Sequence, residues 1–433
     1  MTTNRCHSVW HGPAGLCSAV VSATVLAGVL AAAPPTTSTA TPTYSKDVAP
    51  ILYKNCASCH RPGEIAPMPL LNYKEVRPWA KAIREKVSLG EMPPWHSSDA
   101  RGMFSNDRRL TDEEKDTIVR WSTFGAPEGD PKDLPPVPKF ADGWEIGTPD
   151  AVFTMTKPYD VPASGTINYQ YFNIPTNFTE DKWIQAVEVR PGERKVVHHI
   201  LVFVREPGKQ AAKPAFTMVV PPLPPSANPQ QGEARGPGSL LATTAPGTNA
   251  MTFRPGTALR VKAGATLVLQ VHYTANGSSA QDQSSVGMIF AKEPPEKEIR
   301  NSAFINATFT IPAGDGNKEV DSAIRFDQDS HIWALFPHTH LRGKSWSYRM
   351  VYPDGHSEAV LTVPKYDFNW QTYYVFTTPL AVPKGARLEA TAHFDNSEAN
   401  KWNPDPKKDV HWGEQTWQEM QYSGITYSVD GSK

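Results

Sequence analysis

Proline recurs about once in every ten residues of this chain, 41 among 433, nearly twice the usual share of about 5%. Each proline fixes φ near −65° and removes a backbone donor, which disfavours long helices and suits a loop-rich β architecture. Beyond Trp144 the texture agrees. Short alternating or β-branched runs at 183–189, 196–204, 266–273, 330–336, 346–352 and 388–394 each end at turn residues, the pattern of antiparallel sandwiches. Nearly 290 residues of this kind suit two sandwiches better than one. The Pro/Gly/Ala-rich stretch 221–250 reads as a surface loop or flap.

Residues 45–129 carry a different period. Ser45 is placed to cap a short helix running into Cys56, 75–89 has helical apolar spacing with Gly90 as a stop, and Thr111-Asp-Glu-Glu114 is a capping box ahead of Ile118, Val119 and Trp121. A proline-rich spacer, 130–138, then marks the clearest domain boundary.

Lys plus Arg total 43 against 44 Asp plus Glu, a net charge of −1. With no basic stripe, nucleic acid is not an expected partner. Residues 1–40 read as a signal peptide: Arg5, an apolar run over about 16–33, then small residues for cleavage. The expected location is therefore periplasmic or extracellular, with membrane attachment only if this segment stays uncleaved. Cys6 and Cys17 fall within it, so the mature chain keeps only Cys56 and Cys59 and has no disulfide framework.

Cys56-Ala-Ser-Cys59-His60 matches the attachment signature of a covalently bound haem c, in which two thiols form thioethers and the adjacent histidine becomes an axial iron ligand. Met92, on the proline-constrained loop Glu91-Met-Pro-Pro-Trp95, is the first choice for the sixth ligand, with Met68 and His96 as alternatives. The region resembles class I cytochrome c domains over about 85 residues. That resemblance implies a small all-α domain over 45–130 and a closed haem suited to electron transfer.

The β half carries a second constellation. His198 and His199 are adjacent within an apolar strand, His272 lies in another, and His338 and His340 are separated by one residue. On an extended chain positions i and i+2 face one side, so the last two imidazoles can reach one metal ion. Neighbours face opposite ways, so His198 and His199 can share an ion only if their strand is irregular or their rings use different nitrogens.

These segments, with Gln418-Glu-Met420, resemble the copper type II, ascorbate-dependent monooxygenases, the family of peptidylglycine α-hydroxylating and dopamine β-monooxygenases, over about residues 150–430. The resemblance implies two copper ions, one held by His198, His199 and His272, the other by His338, His340 and Met420. The methionine-bearing site would activate dioxygen. The peptide-processing relatives grip a substrate carboxylate with an arginine and a tyrosine where this chain has Phe336 and Gly424, which makes peptide amidation a poor expectation. His331, His356, His393 and His411 match no role.

The expected organisation is multidomain: signal peptide 1–40, cytochrome c domain 45–130, proline-rich linker 131–150, and all-β jelly-roll sandwiches over 151–290 and 291–433. The expected function is hydroxylation of a C–H bond of an undetermined small-molecule substrate with O2, an electron donor (ascorbate or a redox protein) acting through the haem. The alternatives are a non-catalytic copper/haem electron-transfer or binding protein and a plain cytochrome with an inert β domain.

Overall fold

A nine-stranded sheet runs through most of the β region in the computed structural model, which describes residues 40–62, 64, 66–140, 143–208, 215–221, 238–245 and 250–431. The expected signal segment, Ala40 apart, and much of 221–250 lie outside the described residues. The sheet's strands follow the order Ala151–Thr154, Ser285–Phe290, Lys182–Arg190, Thr257–Val261, Lys297–Asn306, Gln421–Val429, Ser330–His338 and Tyr374–Val382, with Ala250–Thr252 paired onto Lys182–Arg190. The six runs singled out in the sequence are all strands.

Two smaller sheets cover the core faces of the large one. Gln170–Pro175, Thr266–Tyr273, Val197–Arg205 and Ser239–Thr244 form a four-stranded sheet, and its inward residues, such as Ile200, Val202, Leu267 and Leu269, pack against Ile184, Val187 and Val286 of the large sheet. Ser357–Val363, Gly343–Val351, Arg387–Phe394, Lys318–Phe326 and Phe216–Val220 form a five-stranded sheet, burying Trp346, Tyr348 and Leu388 against Leu335, Ile425 and Tyr427. The halves interlock: Thr257–Val261 pairs in parallel with Lys297–Asn306, and Phe216–Val220 pairs with Lys318–Phe326 across the expected boundary at 290. Ser239–Thr244 corrects the expected flap: Leu240, Leu241, Ala242, Thr243 and Thr244 are buried in a paired strand.

The expected all-α cytochrome c domain is also corrected, and with it the multidomain fold class. Strands take 40% of the described residues and helices 12%, and Thr41–Lys433 is a single unit. Ala49–Asn55, Tyr73–Val76, Ala80–Ser88 and Asp112–Thr123 are short helices over a small cluster that includes Tyr44, Leu52, Ile118 and Trp121. Ser45 lies inside a helical turn, Tyr44–Val48, rather than capping one, and a 3₁₀ turn at Arg77–Trp79 splits the expected long helix. The capping box at Thr111 forms in both directions. What denies this segment independence is the stretch between its last two helices. Trp95 and Phe104 are spent on the core of the five-stranded half, beside Tyr374 and Phe376. Backbone bonds tie the same stretch down, Ser98 N to Thr362 O at 3.0 Å and Ser105 N to Val375 O at 2.8 Å. No helix among the described residues is long and apolar enough to cross a membrane.

Candidate metal centre

His199 stands opposite His272 in the pairing of Val197–Arg205 with Thr266–Tyr273. Leu267, Leu269, Val271 and Tyr273 alternate into the core, so His272 faces away from it, with His199 beside it. The pairing then slips: Tyr273 meets Val197 rather than His198. His198 is the extra residue of a β-bulge, the irregularity that lets two adjacent histidines serve one site. The three rings converge, with centroids 5.3, 5.2 and 4.9 Å apart and one nitrogen from each within 4.8 Å of the others. The Nδ1 atoms of His198 and His199 are 3.0 Å apart, about the spacing of two nitrogens each bound at about 2 Å to one ion. His272 Nδ1 is buried without a hydrogen-bond partner. Tyr169 closes this set edge-on, 5.8 Å from His199 and 5.2 Å from His272.

The second set hangs from Ser330–His338. An irregularity between Ile332 and Ala334 resets the alternation, so Leu335 enters the core while Ala334 and Phe336 join a separate cluster with Tyr373. His338 follows them on that face. Its ring lies 5.2 Å from that of His340. Gln371 Oε1 accepts from His338 Nδ1 at 3.0 Å, and Gln418 O accepts from His340 Nδ1 at 3.1 Å. Each bond fixes a tautomer and leaves Nε2 as the lone pair, the usual outer support of a ligating histidine. His340 Nε2 is buried and unpartnered. His338 pairs with Tyr422, and His340 bonds to Gln418 and Glu419, the two residues that precede Met420 in the chain.

Glu419, fully buried, anchors this corner. It accepts from His340 N at 2.8 Å and Arg342 N at 2.7 Å, with Arg342 Nη1 at 4.0 Å. Burial pushes its carboxyl up to about 8. Both oxygens, however, already accept backbone donors, an arrangement that favours the carboxylate. Gly343 is required here because a Cβ would collide with the side chains of Thr339 and Tyr366.

One phenyl ring separates the two sets. Phe368 stacks on His198 at 5.2 Å and meets His340 edge-on at 6.1 Å. Burial lowers the basicity of all five histidines, reinforced by neighbouring imidazoles for all but His198, and takes His272 and His338 to about 4. At neutral pH they are uncharged, the form that binds metals. Two buried nitrogens without partners, each costing about 1–3 kcal/mol if left so, fit a bound ion. Five imidazoles suit copper.

At the haem motif both thiols are free of disulfide, and burial pushes Cys56 up to about 12. His60 donates from Nδ1 to Met68 O at 3.1 Å, leaving Nε2 as its lone pair, so the trio fits haem attachment. Met68 packs on the same helical cluster as Cys56. Met92 and His96 lie instead on the stretch that crosses to the β half, where His96 meets the backbone of Lys365. His331, His356, His393 and His411 pair with Asp430, Asp354, Glu319 and Thr310. Sequence reasoning gave no role to Glu419, Gln371, Phe368 or Tyr169. Only Glu419, beside Met420 in Gln418-Glu-Met420, left a trace.

No protein-family model matches the chain, and no curated protein matches it. Among solved structures, the major capsid protein P2 of bacteriophage PM2 is similar at 10% identity and a TM-score of 0.32, over 65% of this chain and 98% of that one. The STIV MCP matches at 11% identity and 0.30, over 65% and 97%. PNGF-II matches at 9% and 0.27, over 65% of each chain. Likenesses this slight decide nothing about function.

Proposed function

We propose that this chain is an exported, copper-dependent monooxygenase that hydroxylates a C–H bond of a small-molecule substrate with O2. Electrons arrive from a donor such as ascorbate or a redox protein through a haem held at Cys56, Cys59 and His60. The observation that carries this reading is the pair of neutral histidine sets, partly or fully buried, one of three imidazoles and one of two, parted by Phe368. Once bound, the coppers supply one-electron chemistry and dioxygen activation.

The chain's own residues prepare that chemistry. Gln371 and Gln418 hold His338 and His340 in one tautomer, so their lone pairs are preorganised. Glu419 fixes the backbone of the His-x-His turn. Phe368 and Tyr169 pack against the rings of His198 and His272. Phe336 stands opposite Gly424, and a Cβ there would press on the Phe336 side chain. Neither of these buried residues carries a group able to grip a carboxylate, and this favours a substrate without a free carboxylate.

The test is incubation of the purified, metal-loaded chain with a reductant, isotopically heavy O2 and a panel of neutral apolar compounds. Heavy oxygen should enter the product, and His338→Ala should abolish the transfer. Two bound coppers with no oxygen transferred to any compound would leave the electron-transfer reading in its place.

A further inference from the structure

Arg254 is a half-buried cation that no acidic side chain pairs with among the described residues. Its guanidinium donates one hydrogen bond, from Nη2 to Phe376 O, and rests over the Trp333 ring at 5.7 Å. A guanidinium carries five N–H donors in a planar fork, and charged side chains are seldom buried without a partner. Arg254 lines a cavity of about 380 Å³, within the size range of small-molecule sites. Arg108 lines the same cavity, so two like charges border one space, and the exposed Glu145 at its edge offsets only one of them. An anion between the two guanidinium groups removes the imbalance.

We infer that this cavity binds a small organic acid with a flat, hydroxylated body. The guanidinium fork matches the two oxygens of a carboxylate. Trp333 and Tyr373, which also line the cavity, offer ring faces to a flat body. Glu145, an acceptor when ionised, suits a hydroxyl donor, as does the largely polar remainder of the lining. None of the five candidate copper-ligating histidines lines the cavity, so the site is separate from the metal centre and the inference does not rest on the oxygenase reading. The walls come from two sides of one seam, Ser58 and Cys59 from the helical segment and Arg254 and Trp333 from the sheet region. A ligand held there binds only the folded chain, and therefore stabilises it.

The test is calorimetric titration of the purified full chain with 4-hydroxybenzoate, its neutral counterpart 4-hydroxybenzamide, and benzoate. One 4-hydroxybenzoate should bind per chain and raise the melting temperature. The amide, which offers no charge to the guanidinium, should bind at least about tenfold more weakly, and Arg254→Gln should weaken the acid by a similar factor. Glu145→Ala, at an exposed position, should bring 4-hydroxybenzoate to the affinity of benzoate. His338→Ala should bind the acid as the wild type does, which separates this cavity from coordination to a metal. If Arg254→Gln does not fold, the comparison of acid with amide on the wild-type chain still decides. An acid that does not bind, an amide that binds equally well, or an unchanged affinity in a folded Arg254→Gln overturns the inference.

Discussion

Replacing Glu419 by Gln separates the support of the metal centre from its ligands. The carboxylate accepts two backbone N–H groups, one per oxygen, with the buried Arg342 guanidinium nearby. A carboxamide offers one acceptor, so its amino group must face a backbone donor, which costs about 1–3 kcal/mol. Removing one charge of a buried pair costs about 3–5 kcal/mol. Arg342 retains Asn396 and Trp417 O as partners at 2.8 and 2.9 Å, and the two losses share one group, so the total should fall near the lower figure, about 3 kcal/mol. Urea titration of the copper-free protein should show a midpoint lower by about 1 M at a slope of about 3 kcal/mol/M. Copper at the His340 site should bind roughly 10- to 100-fold more weakly, as when other outer supports are lost, with His198, His199 and His272 unaffected. An unchanged midpoint and unchanged affinity for both ions would refute the role given to Glu419.

The copper-free protein should lose stability as pH falls. The unfolded chain takes up protons below about 6.5 that His272 and His338 refuse until about 4, so the full stability is present above 6.5 and drains away through that window. The loss is at most about 3 kcal/mol per imidazole, read as a falling urea midpoint. Gly343→Ala should destabilise by about 1–3 kcal/mol through its clash with Thr339 and Tyr366, seen as a lower melting temperature together with weakened copper binding. Thr111→Ala, which removes the capping box, should cost about 1 kcal/mol and leave copper binding as it was. A copper defect in that variant would mean the helical segment is coupled to the site more tightly than described.

Strands were legible in the sequence because proline and glycine punctuate them and because Val, Ile and Leu alternate between. Ser239–Thr244 was hidden, since its flanks share the composition of a loop and only its pairing with Val197–Arg205 makes it a strand. The helices of the N-terminal segment were visible one by one, by the Thr111 cap and the Gly90 stop. The destination of Trp95 and Phe104 was not, because a chain's choice between its own core and a neighbouring sheet is a tertiary matter. The His-x-His turn declared itself through strand alternation. His198 and His199 needed a bulge that no local signal announces, and Phe368 has its place only after two distant strands converge.

Copper titration with spectroscopic resolution of the two ions tests the central claim most directly. The account predicts two coppers per wild-type chain in different environments, with His272→Ala and His338→Ala each retaining one, and a different one. A wild-type chain that binds no copper, or a single ion lost equally in both variants, would contradict it.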